Sequence, residues 1–284
     1  MNLSLFFDYV RAEALIKKHS KTFYRAFSSL KDAKQRRGIY AVYAYCRLVD
    51  DAIDIDKDLK KLHVYKSNLD RLVKGEKARG FLWNVLMDTT TQFQYDERAF
   101  KPFYELIEGQ EFDAAPVSIQ TKDQLFHYCD LVASSVGRML MPILVSNPTK
   151  EHDQFAEDLG RAFQITNICR DVGEDQKRDR IYLPKALMDE HGYTREQLWQ
   201  QTNNDAFKAI LNHLHHDART LYTRAENQLH RFPPSVRFPL HASLVLYRAI
   251  LDVIESHDYD VFSTKHFVPL ATKKNLIQSI LPVT

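Results

Sequence analysis

Two short acidic stretches constrain the chain more than anything else in it. The first is Cys46-Arg47-Leu48-Val49-Asp50-Asp51-Ala52-Ile53-Asp54, and the second is Asn167-Ile168-Cys169-Arg170-Asp171-Val172-Gly173-Glu174-Asp175. In each, two aspartates stand one helical turn apart, Asp50 with Asp54 and Asp171 with Asp175. Each stretch runs on from an apolar-periodic segment, so each reads as the end of a long helix whose inward stripe turns from apolar to acidic. Carboxylates placed where a core pattern points require a cationic partner.

The rest of the chain supplies helices to hold such stripes. Among 284 residues only eight are glycine, and Leu, Ala, Lys, Glu, Gln and Arg fill long stretches between sparse breaks. The β-branched runs and frequent turns of a sheet protein are scarce, which predicts an all-α fold. No linker-like or low-complexity segment divides the chain, so residues 1–284 are expected to form a single domain.

A formal net charge of +2 offers no global field for nucleic acid, and none is expected as a partner. The N-terminus lacks the basic and apolar regions of a secretory signal, and no apolar run reaches the ~18 residues needed to span a bilayer. Cys46, Cys129 and Cys169 are odd in number and far apart, as suits reduced thiols. A cytoplasmic protein is the expectation.

Along the chain, a helical pattern through Leu30 is interrupted around His19-Ser20-Lys21-Thr22, where hydroxyls and a lysine offer donors to an anion or simply cap a new helix. Tyr40, Tyr43, Arg47, Asp50 and Asp54 share one face of the first acidic helix. Amphipathic segments follow over 59–74 and 81–87, and another around Phe100, Phe103, Tyr104 and Ile107 runs out near Gly109 and Asp113. The stretch 125–145 predicts a central helix kinked at Pro142. The second acidic helix, 155–175, aligns Gln164, Asn167, Asp171 and Asp175. Long helices are expected over 204–230 and 234–256.

A carboxylate pair on a helix is most often a solvated face. Arg47 precedes Asp50 by three residues and Arg170 directly precedes Asp171, while amides join the second stripe. Oxygen donors without histidine or cysteine suit Mg²⁺ rather than Zn²⁺, and Mg²⁺ commonly completes its octahedron with water and phosphate oxygens. Carboxylates facing Arg, Gln and Asn therefore suggest a diphosphate site.

With these residues and their companions, the chain resembles the squalene and phytoene synthase family, most nearly its bacterial dehydrosqualene (4,4′-diapophytoene) synthases. The resemblance is carried by His19-Ser20-Lys21-Thr22-Phe23, Tyr43-Ala44-Tyr45-Cys46-Arg47 with the aspartates after it, Gln164 with 167–175, Arg180-Ile181-Tyr182-Leu183-Pro184, and Tyr247 with Ile250-Leu251-Asp252. It implies an all-α isoprenoid synthase fold with an apolar cavity and two acidic motifs at its mouth. It further implies that Asp50, Asp54, Asn167, Asp171 and Asp175 hold Mg²⁺, with Asp51 and Glu174 in support. His19, Ser20, Lys21, Thr22, Tyr43, Arg47, Gln164, Arg170 and Tyr247 would then contact diphosphate or the reacting centre, Lys265 adding a late basic contact.

The reaction so implied is head-to-head condensation of two molecules of farnesyl diphosphate through presqualene diphosphate to dehydrosqualene, a step of carotenoid biosynthesis. Phytoene synthase using geranylgeranyl diphosphate and squalene synthase are the alternatives within the enzyme class. No strand leads into a G-x-G-x-x-G turn, and no NADPH is expected. Bulky Phe23, Phe27 and Tyr40 are expected to restrict the cavity to fifteen-carbon tails.

One region departs from the family pattern. After Tyr128-Cys129, where a large residue and V-A-G-x-V-G are usual, Asp130 and Leu131 follow, and Ser134 stands in place of glycine. Asp130 is open to three readings: solvent, the metal shell, or repulsion of a diphosphate. A non-catalytic scaffold relative would have lost motif aspartates, and none is lost. A metal phosphohydrolase built on His215-His216-Asp217 lacks matching histidines. Peripheral contact with a membrane is expected because the product is hydrocarbon, and Lys265, Lys273 and Lys274 suit an anionic surface, although terminal lysines also serve solubility.

Overall fold

A computed structural model describes residues 2–281. The chain begins with α1 (Leu3–His19), capped by the Asn2 side chain, and after Ser20 restarts as α2 (Lys21–Phe27). The first acidic helix is α3 (Ala33–Asp54), started by the Asp32 carboxylate accepting from the Lys34 amide. Then come α4 (Leu59–Val73), α5 (Phe81–Gln92) and α6 (Glu97–Asp113), the first and last capped by Asp58 and Asp96. Side-chain caps of this kind satisfy amide donors that a helix leaves orphaned.

The expected central helix is two helices, α7 (Lys122–Cys129) and α8 (Ser135–Leu144), joined through a π-helical turn at Asp130–Ser134. The irregularity thus precedes Pro142, which sits in the last turn of α8. The second acidic helix, α9 (Lys150–Gln176), begins earlier than periodicity suggested, through a capping box between Thr149 and His152. Short helices α10 (Lys185–Glu190) and α11 (Arg195–Trp199) lead to α12 (Asp205–Gln228), α13 (Pro234–Ser256) and α14 (Leu270–Ser279).

The fold is all-α apart from one feature absent from the sequence reading. Strands β1 (Val117–Ser118) and β2 (Arg180–Ile181) pair in parallel, Val117 opposite Arg180. This strap ties the end of α6 to the residues after α9.

Helix α9 is central, with α12, α8, α13 and the π turn packed around it, while α3 packs on α1, α5 and α8. Gly160 of α9 permits the closest approach: a Cβ there would meet the Ser134 backbone nitrogen at 2.5 Å. A single apolar core runs through these helices. Among the described residues no helix is long and apolar enough to cross a membrane, and all three cysteines are free.

Candidate active site

Helices α3 and α9 line one cavity of about 560 Å³, whose walls also take residues from α1, α2, α6, α8 and α13. Its inner part is apolar, with Val42, Leu140, Leu144, Phe155 and Leu159 among its walls. Phe23, Phe163 and Tyr247 form an aromatic wall, with ring centroids 4.5–5.8 Å apart, and Phe27 stacks on Phe23 at 5.9 Å. Such rings present negative faces to a cation in an otherwise dry chamber.

The polar part gathers both acidic motifs. Asp50, Asp54, Asp171, Asp175 and Asn167 all line it, together with Tyr43, Arg47, Gln164, Arg170 and Lys265. His19 and Ser20 line it too, and Ser20 makes no side-chain capping bond to α2. Lys21 and Thr22 are not among the lining residues, nor is Tyr40, which packs against Tyr24 at 5.8 Å. The hydrophobic barrier read from the sequence therefore comes down to Phe23 and Phe27.

The carboxylates divide into two kinds. Asp54 and Asp171 already hold cations: Asp54 accepts from Arg180 at 2.6 Å and Arg178 at 2.8 Å, and Asp171 accepts from Arg170 Nε at 2.8 Å and faces Lys265 at 3.0 Å. For Asp171, burial alone would raise the carboxyl, but Arg170 and Lys265 outweigh it and hold it below the ordinary range. Asp50 and Asp175 are under-compensated. Burial, reinforced by the Asp54 charge, pushes Asp50 up to about 7; burial with the Asp171 charge does the same for Asp175. Asp50 keeps 37% of its side-chain surface accessible while lining the cavity, so it is enclosed by the walls around it rather than by direct packing.

Among the described residues no three carboxylates, imidazoles or thiolates form a ready-made metal shell. The donor set nevertheless fits Mg²⁺, which needs few protein oxygens when phosphate supplies the rest. Asn167 Oδ1 and Gln110 Oε1 are buried acceptors without a partner, and both residues line the cavity. Arg47 Nε is a buried donor equally without one, although its Nη2 binds Asp51. Orphaned acceptors and an orphaned guanidinium donor in one chamber are what a metal diphosphate would satisfy together.

Several members of the site were not read from periodicity. Gln110 donates to Asp50 at 3.4 Å, and Asp113 accepts from Tyr128 at 2.8 Å and Tyr182 at 2.7 Å, whose rings stack at 4.7 Å. Both extend the Phe103, Leu106, Ile107 stripe of α6, the same apolar-to-polar turnover that marked Asp50. Arg178 and Arg180 enter through their ion pairs with Asp54.

Asp130 lies outside this cluster. Arg161 grips it with two bonds, Nε at 2.8 Å and Nη2 at 2.6 Å, and Ser134 donates to it at 2.9 Å. It is not a cavity residue, so of its three readings neither the metal shell nor a diphosphate contact agrees with the structure. His215 is likewise remote: it is buried and bonded to Glu255 at 3.0 Å, while Asp217 pairs with Lys122.

Comparison with known proteins agrees with this architecture. The family model for squalene/phytoene synthase matches residues 16–272. The 15-cis-phytoene synthase of Synechococcus elongatus is 34% identical over 276 residues, covering 92% of this chain and 88% of that protein. The chloroplastic phytoene synthase of an Oncidium hybrid cultivar is 34% identical over 277 residues, covering 93% and 65%. A crystal structure of a dehydrosqualene synthase in complex with ligand superposes with a TM-score of 0.90 at 32% identity, covering 97% of this chain and 95% of that one. The chain belongs to the squalene/phytoene synthase family of isoprenoid synthases.

Proposed function

We propose that this protein, acting as a single catalytic domain, joins two allylic prenyl diphosphates head to head and releases an unreduced, phytoene-type hydrocarbon. The observation that carries the proposal is the meeting of two acidic helices and their orphaned polar atoms at the polar part of an apolar, aromatic-walled cavity.

Asp50, Asp54, Asn167, Asp171 and Asp175 are the residues that would hold Mg²⁺, which when bound supplies Lewis-acid stabilisation of charge on a departing diphosphate. Arg47, Arg170 and Lys265 bind phosphate oxygens, and Arg170 also lies within reach of the Tyr247 hydroxyl. His19 is suited to a neutral donor role, because burial and the Arg47 charge push its imidazole below the ordinary range. Tyr43 stays protonated, its phenol raised by burial, and serves as a donor. Phe23, Phe163 and Tyr247 face the allylic cation and exclude water, which would quench it. Capture of that cation by the double bond of the second substrate, with closure of a cyclopropane as one proton is lost, gives a cyclopropyl diphosphate, presqualene diphosphate for fifteen-carbon donors. Its ionisation, rearrangement and loss of a proton, without hydride from NADPH, give the product.

The phytoene synthase names of the curated relatives favour geranylgeranyl diphosphate as donor. A second reading, dehydrosqualene from farnesyl diphosphate, is favoured by the stacked Phe23–Phe27 wall and by likeness to the dehydrosqualene synthase structure. The deciding experiment incubates the purified protein and Mg²⁺ with each donor, with and without NADPH, and identifies the hydrocarbon. Phytoene from the twenty-carbon donor supports the first reading, and dehydrosqualene from the fifteen-carbon donor the second. Squalene formed only with NADPH overturns the unreduced ending. No product from either donor overturns the enzyme reading itself.

A further inference from the structure

The C-terminal segment leaves the active site and becomes a surface with a distinct chemistry. Lys265 is paired at the cavity with Asp171 and Glu174. His266 and Val268 are buried, which forces Phe267 between them outward to 66% exposure. Helix α14 then begins with Leu270, 58% exposed, and none of its residues is fully buried. Its apolar contacts with the core come from Leu276 and Ile277, with Ile280 just past its end, and its Lys273 is partly buried. A ten-residue helix held by so narrow a stripe is marginal in water.

The charges on this surface are all of one sign. Lys273 and Lys274 lie one turn beyond Leu270, and neither has an acidic partner among the described residues. Arg25 of α2 adds a positive charge felt at Lys273, and it is exposed and without an acidic partner among the described residues. Burial and the Arg25 charge together push the Lys273 ammonium below its ordinary value. Neither α2 nor the sequence after Asp260 contains an Asp or Glu. Like charges held together beside exposed Phe and Leu side chains gain from an anionic, apolar-backed surface.

We propose that Phe267, Leu270, Lys273, Lys274 and Arg25 form a docking face for an anionic lipid bilayer. The lysines and the exposed apolar side chains favour such a surface whatever the reaction, and the proposed reaction adds a reason: a hydrocarbon product leaves through apolar surroundings, and this face adjoins the cavity through Lys265. The other large exposed apolar stripe, Leu3, Phe6, Phe7 and Val10 on α1, lacks this character, since Asp8 and Glu13 share its helix and Lys17 is paired with Glu13.

The test is co-sedimentation of the whole chain with phosphatidylcholine–phosphatidylglycerol vesicles and with phosphatidylcholine vesicles alone, which requires no turnover. Binding is expected only to the anionic vesicles and should weaken as salt rises. The double variant Lys273→Gln/Lys274→Gln should bind about thirtyfold more weakly, and Phe267→Ser/Leu270→Ser should also lose binding. Circular dichroism and, if the proposed reaction holds, turnover in detergent should be unchanged, which separates lost docking from lost fold. Equal binding to both vesicle types would overturn the proposal. So would undiminished binding of the lysine variant, or loss only in Phe6→Ser/Phe7→Ser. Self-association that the Phe267→Ser/Leu270→Ser change abolishes, with no vesicle binding, would assign the face to a second copy instead.

Discussion

Arg180 donates to Asp54 at 2.6 Å, joining the last residue of the first acidic helix to the strand that follows the second. The same guanidinium donates to the Asp113 backbone oxygen at 2.9 Å, and the parallel pairing of Arg180 with Val117 holds it there. Replacing Arg180 with Gln leaves a buried carbonyl and half of a carboxylate's partners unsatisfied, Arg178 still answering for the rest. The expected loss is about 2 kcal/mol of unfolding free energy, read by urea denaturation. A loss within error of zero would mean that the contact does not hold the mouth together.

Asp50 and Asp175 make the site sensitive to pH near neutrality, each raised to about 7. The folded state binds protons more tightly than the unfolded state at both, so their contribution to stability is full below the ordinary carboxylate range and is lost as pH rises through 7. Ligation has the opposite sign, because a carboxylate must be ionised to meet a cation. Binding of Mg²⁺ with inorganic pyrophosphate should therefore tighten from pH 6 to pH 8 with release of protons. Calorimetry in buffers of different ionisation enthalpy reads both quantities, and pH-independent binding would contradict this.

Asp130 is a structural residue in this chain, which predicts separable effects. Asp130→Ala removes both bonds to Arg161 and that to Ser134, leaving a half-buried guanidinium without its main partner. About 1–3 kcal/mol of stability should be lost, while the Mg²⁺ concentration for half-maximal activity stays unchanged. A shift in that concentration would assign Asp130 to the proposed metal site.

The acidic motifs were legible because an aspartate pair one turn apart on an apolar stripe carries its own geometric signature. Gln110 and Asp113 obey the same rule on α6, but after Phe103, Leu106 and Ile107 they looked like a helix simply running out. No periodicity joins Arg180 to Asp54 across the fold, nor pairs Val117 with Arg180, since two-residue strands have too little pattern to register. Lys21 and Thr22 illustrate the converse: they neighbour Ser20 in the chain, yet of the four residues 19–22 the turn from α1 into α2 brings only His19 and Ser20 to the cavity. Tyr40 shares a helix face with Tyr43 but packs on Tyr24.

Phe27 is buried, lines the cavity and stacks on Phe23. If the proposed reaction holds, Phe27→Ala should raise the preference for twenty-carbon over fifteen-carbon donor, measured as the ratio of kcat/KM values, by about tenfold. Removing the ring also forfeits roughly 3–5 kcal/mol of packing, so the comparison belongs at low temperature with folding checked by circular dichroism. An unchanged ratio would exclude Phe27 as the gauge of tail length.

Gly160→Ala tests the contact between α9 and the π turn. The added methyl meets the Ser134 backbone, which cannot move aside as a flexible side chain would. A destabilisation of about 3 kcal/mol or more is expected, read as a lowered Tm; a normal Tm would show that the two elements can part.

The π turn at Asp130–Ser134 sets the rotational phase of everything after it. Successive residues of an α-helix advance by about 100°, so Tyr128 and Val136 would stand about 80° apart on an uninterrupted helix. The extra residue absorbed by a π turn removes one such step and swings them to within about 20° of each other. Both line the cavity. Deleting any one residue between 130 and 134 would thus leave a regular helix that keeps this phase, since seven steps again bring the two to within about 20°, whereas straightening the turn with all its residues in place would swing the apolar face of α8 away from the chamber by about 100°.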